Sequence, residues 1–127
     1  MSIRIVYDPD FNQFYIQSKT DIKELDDGEY HEIQVEYCEI AFNDWEDMDL
    51  SNEEAYLKVE RNEIKLSIHV SNRSWRTQYG KNWIHLQISY TSLGEIKNIK
   101  SDSCEIYSIE CEINPIQLKP TIIIIDD

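Results

Sequence analysis

Glycine and proline are scarce in this chain, three of each among 127 residues, so a fold that turns often must draw its turns from Asn, Asp and Ser. Phosphate-binding signatures are absent. There is no Gly-x-x-x-x-Gly-Lys-Ser/Thr loop, no Gly-x-Gly-x-x-Gly fingerprint and no Gly-x-Ser-x-Gly nucleophile elbow, which argues against nucleotide-dependent chemistry and elbow-type hydrolysis. Cys38, Cys104 and Cys111 are odd in number and form no Cys-x-x-Cys pair, so neither a disulfide framework nor a thiolate zinc site is expected. No stretch approaches the roughly 18 apolar residues of a membrane span, and Met1 to Ile5 opens without the apolar segment of an export signal. The expectation is a soluble, cytoplasmic protein in a reducing compartment.

Positive charge is also in short supply. Twelve Lys and Arg stand against 25 Asp and Glu, for a formal net charge of -13. The imbalance is confined to the first half: residues 1 to 60 carry 17 acidic and 4 basic groups, whereas residues 61 to 127 carry 8 of each. Such asymmetry points to an interaction surface or to a negative face kept for solubility. It disfavours direct contact with nucleic acid, because phosphates would be repelled.

What the chain does have is large apolar side chains. Hydrophobic residues make up 41% and aromatics 11%, too rich for a disordered chain, and the length suits one domain over residues 1 to 127. Ile, Val, Thr, Tyr and Trp weight it towards strands. Ile3, Ile5 and Tyr7 alternate with Arg4 and Val6 before a turn at Asp8 to Asn12, as an opening hairpin would. Asp26-Asp27-Gly28 turns the chain into a strand near residues 30 to 40, in which Ile33, Val35 and Tyr37 alternate with polar neighbours. Period-two segments follow at Ala55 to Val59, Ile64 to Val70, Ile84 to Tyr90 and Tyr107 to Ile113, with a weaker one at Ile96 to Ile99. Ser51 with Glu54 matches a capping box, but the Ala55, Leu57, Val59 alternation outweighs it. Ser71 to Asn82 reads as a long polar hairpin loop, and Thr121 to Ile125 either as a strand covered on both faces or as an aggregation-prone run guarded by Lys119, Pro120, Asp126 and Asp127.

The fold class is therefore all-β, an antiparallel sandwich or barrel of about eight short strands with at most one or two short helical turns. Ile64, Leu66, Ile68, Ile84, Leu86, Ile88, Tyr107, Ile109 and Ile113 are the expected core.

Catalytic constellations are thin. His69 and His85 lie in polar phase on segments expected to pair, and one register would set them opposite each other. Without a third ligand at matching phase they read as solvated histidines, and no metal or cofactor is expected. His31 adds nothing to them. Acidic neighbours disfavour a reactive thiolate at Cys38 or Cys104. Paired carboxylates are too many to single out an acid and a base. Nothing here supports an enzyme.

The segment Asp44-Trp45-Glu46-Asp47-Met48-Asp49, with Glu53 and Glu54, sets carboxylates around a Trp and a Met. Charges there would steer a basic partner towards an aromatic anchor, unless Trp45 turns inward as part of the core. The candidate partner-binding residues are Asp44, Trp45, Glu46, Asp47, Asp49, Glu53 and Glu54. Asp26, Asp27, Glu29 and Tyr30 would join them only if the fold brought the two groups together. A lesser patch, Arg73, Trp75, Arg76, Tyr79, Lys81 and Trp83, interleaves cations with aromatics as stacking of single-stranded nucleic acid would need, though three cations are few against the net charge of the whole chain. It reads first as a loop packing its own rings, with self-association as an alternative.

In size, charge and lack of catalytic motifs the chain resembles, as a class, the small acidic inhibitors that bacteria and phages make against nucleic-acid enzymes. These are toxin-immunity proteins and anti-CRISPR or anti-restriction nucleic-acid mimics. The resemblance implies a basic protein partner such as a nuclease, with an immunity protein for a bacterial nuclease toxin as the first reading and a phage-encoded inhibitor as the second. A structural or accessory β module that self-assembles as a homo-oligomer is the alternative from another class.

Overall fold

The computed structural model describes residues 2–115, which form nine strands and two short helices. In chain order these are β1 (Ile3–Asp8), β2 (Gln13–Ile16), α1 (Lys19–Leu25), β3 (Tyr30–Phe42), β4 (Met48–Asp49), β5 (Glu54–Glu60), β6 (Glu63–His69), α2 (Arg73–Tyr79), β7 (Trp83–Tyr90), β8 (Ile96–Ser101) and β9 (Ile106–Pro115). All ladders are antiparallel, in the order β2-β1-β9-β3-β5-β6-β7-β8, with β4 added on β3. The sheet curls into a nearly closed eight-stranded barrel. At the seam, the Ile16 N–H donates to the Gly94 carbonyl at 2.7 Å. The expected all-β architecture is what forms.

Turn chemistry follows the shortage of glycine. The β5–β6 hairpin closes on Arg61 and Asn62, both at positive φ (38° and 57°). That conformation gives a two-residue turn the twist its flanking strands need. Asn12, at φ 53°, serves the β1–β2 turn, where the Asp8 side chain also accepts the Asp10 N–H at 3.1 Å.

The buried apolar side chains form one cluster. Ile64, Leu66 and Ile68 on β6 face Ile88, Leu86 and Ile84 on β7, pair by pair, and all six are buried. Ala55, Leu57 and Val59 meet the same β6 residues from the other side. One end of the barrel carries α1, tied to the β5–β6 turn by the Asp26 carboxylate, which accepts the Arg61 N–H at 3.2 Å. The other carries α2, whose Trp75 is fully buried.

Three expectations need correction: the phase at Tyr37, Tyr107 in the core, and a loop over Ser71 to Asn82. Tyr37 and Tyr107 break their strands' alternation because Tyr37 follows a bulge at Glu36 and Tyr107 is itself the extra residue of a second bulge. An extra residue in one strand moves the inward phase by one position. Thus β3 buries Ile33 and Val35, then Cys38, Ile40 and Phe42. Tyr37 is left 40% exposed, and Tyr107, expected in the core, is 37% exposed while Ile106 is buried.

Residues 73–79 form a helix rather than a loop. The Asn72 side chain accepts the Trp75 N–H at 2.9 Å, and Gly80 ends the helix in the left-handed region. Helix α1 was likewise not anticipated. His69 and His85 do not pair: His69 lies opposite Trp83, and His85 opposite Ser67. The Thr121 to Ile125 run lies outside the described residues.

Replacing Leu66 or Leu86 by Ala should cost about 2 to 5 kcal/mol, and Trp75 by Ala about 3 to 5 kcal/mol. Urea denaturation monitored by circular dichroism would measure both. A loss below 1 kcal/mol at Trp75 would mean that α2 is not part of the core.

Candidate protein-binding face

Strand β3 sets the geometry of the outward acidic surface. Glu39 lies between Cys38 and Ile40, both fully buried, and so points away from the core. The same alternation turns Glu110 outward between Ile109 and Cys111, and Asp49 outward between Met48 and Leu50. The register places Glu39 directly opposite Glu110 on one side and Asp49 on the other. Three carboxylates therefore cross three strands in a row, with backbones roughly 5 Å apart. Asp8, Asp47, Glu39 and Glu110 line a hollow of about 170 Å³ on this surface. Glu36 and Glu112 extend the row along the strands, and Asp10 stands beside Tyr107 at the edge. Arg4 is the only Lys or Arg in β1, β3, β4 and β9. It pairs with Glu110 at 2.6 Å.

The local field registers in the neighbouring groups. A hydrogen bond from its hydroxyl to Glu39 (2.7 Å), then partial burial and the charges of Glu39, Glu110 and Asp49, push Tyr37 up to about 12. A hydrogen bond to Asp10 raises Tyr107. The guanidinium of Arg4 is raised by its bond to Glu110. Asp49 moves the other way, held low by the Ser51 hydroxyl and by the Ser51 N–H at 2.9 Å. The Asp49 carboxylate thus stays ionised in the row.

The seven candidate partner-binding residues divide into three places. Asp47 and Asp49 belong to the acidic row. Asp44, Trp45 and Glu46 line a separate surface hollow with Ser74 of α2. Trp45 is half-buried there, edge-on to Tyr79 at 5.8 Å, and Tyr79 in turn meets Trp75 at 5.0 Å. Trp45 therefore packs against the core and keeps one edge outward. Glu53 is occupied by accepting the Ser71 N–H at 2.6 Å, and Glu54 accepts from the Tyr56 hydroxyl at 2.7 Å.

Asp26, Asp27 and Glu29 do not join the row. They precede Tyr30, nine positions before Glu39 and so roughly 30 Å away along an extended strand. Asp27 there accepts the Glu29 N–H at 3.0 Å and bonds the fully buried His31 at 3.2 Å.

Glu36, Glu39, Glu110, Glu112 and Asp8 did not stand out in the sequence. Their signal was a carboxylate at every second position of a strand, as in Glu110 and Glu112, but which strand lies alongside was not readable. The cysteines are buried free thiols. Cys38 faces Cys111 across the ladder, and that neighbour together with burial raises Cys38 well above its ordinary value. Burial also raises Cys104. Among the described residues no group of three or more His, Cys, Asp or Glu could hold a metal ion, and no helix is long and apolar enough to cross a membrane. Comparison with protein-family models, curated proteins and solved structures finds no match.

Alkaline stability tests these electrostatics. Tyr37 and Tyr56, mainly through hydrogen bonds to Glu39 and Glu54, and Tyr79, mainly through burial, hold their protons to about 12 against an ordinary 10.0. Between those values the unfolded chain binds fewer protons than the folded one, so stability should fall as pH rises through that window. Urea midpoints at intervals across it would show the decline, and a flat profile would contradict the raised phenols.

Proposed function

We propose that this chain is an acidic protein-binding inhibitor whose β1–β9–β3–β4 face fills the phosphate-binding groove of a basic nucleic-acid enzyme, most simply a nuclease. The observation that carries this reading is the row Glu110, Glu39, Asp49. Like charges directly opposite on adjacent strands destabilise a sheet. Elsewhere in this barrel Lys58 faces Lys65 and Glu60 faces Glu63, but there the two signs adjoin and Lys58 pairs with Glu60 at 3.0 Å. On β9, β3 and β4 three successive strands present the same sign, with one cation nearby, Arg4 of β1, paired to Glu110. A partner groove lined with Lys and Arg would offset the repulsion.

Spacing supports the same reading. Carboxylates sit roughly 5 Å apart across strands and about 7 Å apart along them, dense enough to stand where a phosphate backbone would. Steering by such a face acts first on association rate, and the outward edge of Trp45 in the neighbouring hollow supplies an apolar contact. The role that fits first is an immunity protein for a bacterial nuclease toxin. A phage-encoded inhibitor of a defence nuclease would use the same surface.

The test is binding and inhibition against purified bacterial nuclease domains with basic clefts, using the wild-type chain and an E36Q/E39Q/E112Q variant. Relief of self-repulsion should raise the variant's melting temperature. Association with the inhibited nuclease should slow by roughly tenfold at low salt and lose much of its salt dependence. Trp45→Ala should mainly speed dissociation. If the triple variant associates at the wild-type rate, the acidic face is a solvated surface and an accessory module that assembles through other strands becomes the better reading.

A further inference from the structure

A second surface, on β6, β7 and β8, has the opposite character. Lys65, Gln87 and Lys100 lie side by side in one cross-strand row. In the adjacent row Ser67 faces His85, with Asp102 beside it just past the end of β8. These six residues line a cavity of about 350 Å³, within the range of small-molecule sites. Ser67 is outward by strand phase, lying between Lys65 and His69 on alternate positions, yet only 2% exposed. It forms the cavity floor, with its hydroxyl 3.0 Å from Nδ1 of His85.

The acid in this cavity is already neutralised. Asp102 accepts the His85 backbone N–H through Oδ1 and the Lys81 ammonium through Oδ2, each at 3.0 Å. Lys65 feels the charge of Glu60, which lies nearer to Lys58 and pairs with it at 3.0 Å. Lys100 is exposed and forms no ion pair among the described residues. In a chain of net charge -13, this cavity is a local excess of cations.

We infer that the cavity binds a small phosphate monoester, with Lys65 and Lys100 holding the dianion from either side. Their strands are two spacings apart, roughly 10 Å, a gap that two lysine side chains close on one tetrahedral anion. Lysine binds phosphate as a point charge without a fixed approach direction. Ser67, when it takes a proton bond from His85 Nδ1, has its own O–H to give to a phosphate oxygen; the Gln87 amide gives one N–H to Glu63 at 2.8 Å and has its second N–H left to donate. The phosphate would sit over Ser67, leaving the esterified group towards Tyr30 at the cavity rim. This site is independent of the acidic face, and neither depends on the other for its reading.

The experiment is a titration of the full chain with inorganic phosphate at constant ionic strength, followed by amide and imidazole NMR. Saturable shifts are expected at Ser67, His85, Gln87 and Lys100, and equal concentrations of acetate should not produce them. The K65Q/K100Q variant should weaken phosphate binding at least tenfold. Both lysines are on the sheet's outer side, so their replacement should leave the remaining spectrum unchanged. A single K100Q variant, at the more exposed position, serves should the double variant be unstable. Shifts that grow linearly without saturation, that persist in the lysine variants, or that centre on Arg73 and Arg76 of α2 would each overturn the inference.

Discussion

β9 inserts between β1 and β3 although more than sixty residues separate it from either in the chain. That long-range pairing is what the remaining architecture depends on. Loop-closure entropy must be met before such a contact is rewarded, and the reward is burial. Ile109, Cys111 and Ile113 from β9 meet Ile3, Ile5, Val35, Cys38 and Ile40 within the core. The same insertion sets Glu110 against Glu39. The strand that joins the first hairpin to the rest of the sheet is also the one that concentrates its charge, so fold and acidic face are not separable features.

Much of the architecture was legible because local period and local connection agree. The run β5, β6, β7 is sequential, joined by a two-residue turn and a short helical hairpin connection, and its inward apolar residues follow a strict period of two. Where β3 and β9 depart from a strict period of two, a non-local contact is responsible. Bulges at Glu36 and Tyr107 are fixed by the register of β3 against β9, and aromatic residues at alternating positions gave no warning of a phase change. In α2, Asn72 and Gly80 did mark a beginning and an end, and Trp75 and Tyr79 are four apart as a helical face requires. Seven residues are too few for that period to dominate a polar composition.

The acidic surface was half legible for a similar reason. Counting charge along the chain located the excess in residues 1 to 60, and Asp47 and Asp49 do lie in the row. Yet Glu110 and Glu112 come from the half with no net charge, and the loop carboxylates Glu53 and Glu54 are held by Ser71 and Tyr56. Charge density in sequence and charge density on a surface differ whenever strands from distant segments are neighbours. Trp45 shows the same with apolar contact: of the two roles open to it in the sequence, anchor and core, the fold gives it part of each, its ring resting edge-on on Tyr79 while it stays half-exposed.

An acidic face and a cation-lined cavity on one small barrel invite head-to-tail association, and such a heterologous contact would be open-ended rather than closed. Two features oppose it. Molecules of net charge -13 repel one another at separations within a Debye length, about 10 Å at 0.1 M salt. The cations of β6 to β8 also stand around a hollow floored by Ser67, and Lys65 among them is half-buried, so a flat face of carboxylates from another copy reaches them unequally. Charge on β1, β3 and β9 is by contrast displayed across an outward sheet surface. One barrel thus keeps two surfaces of opposite character apart, an acidic face on β1, β3, β4 and β9 and a cation-lined cavity on β6 to β8.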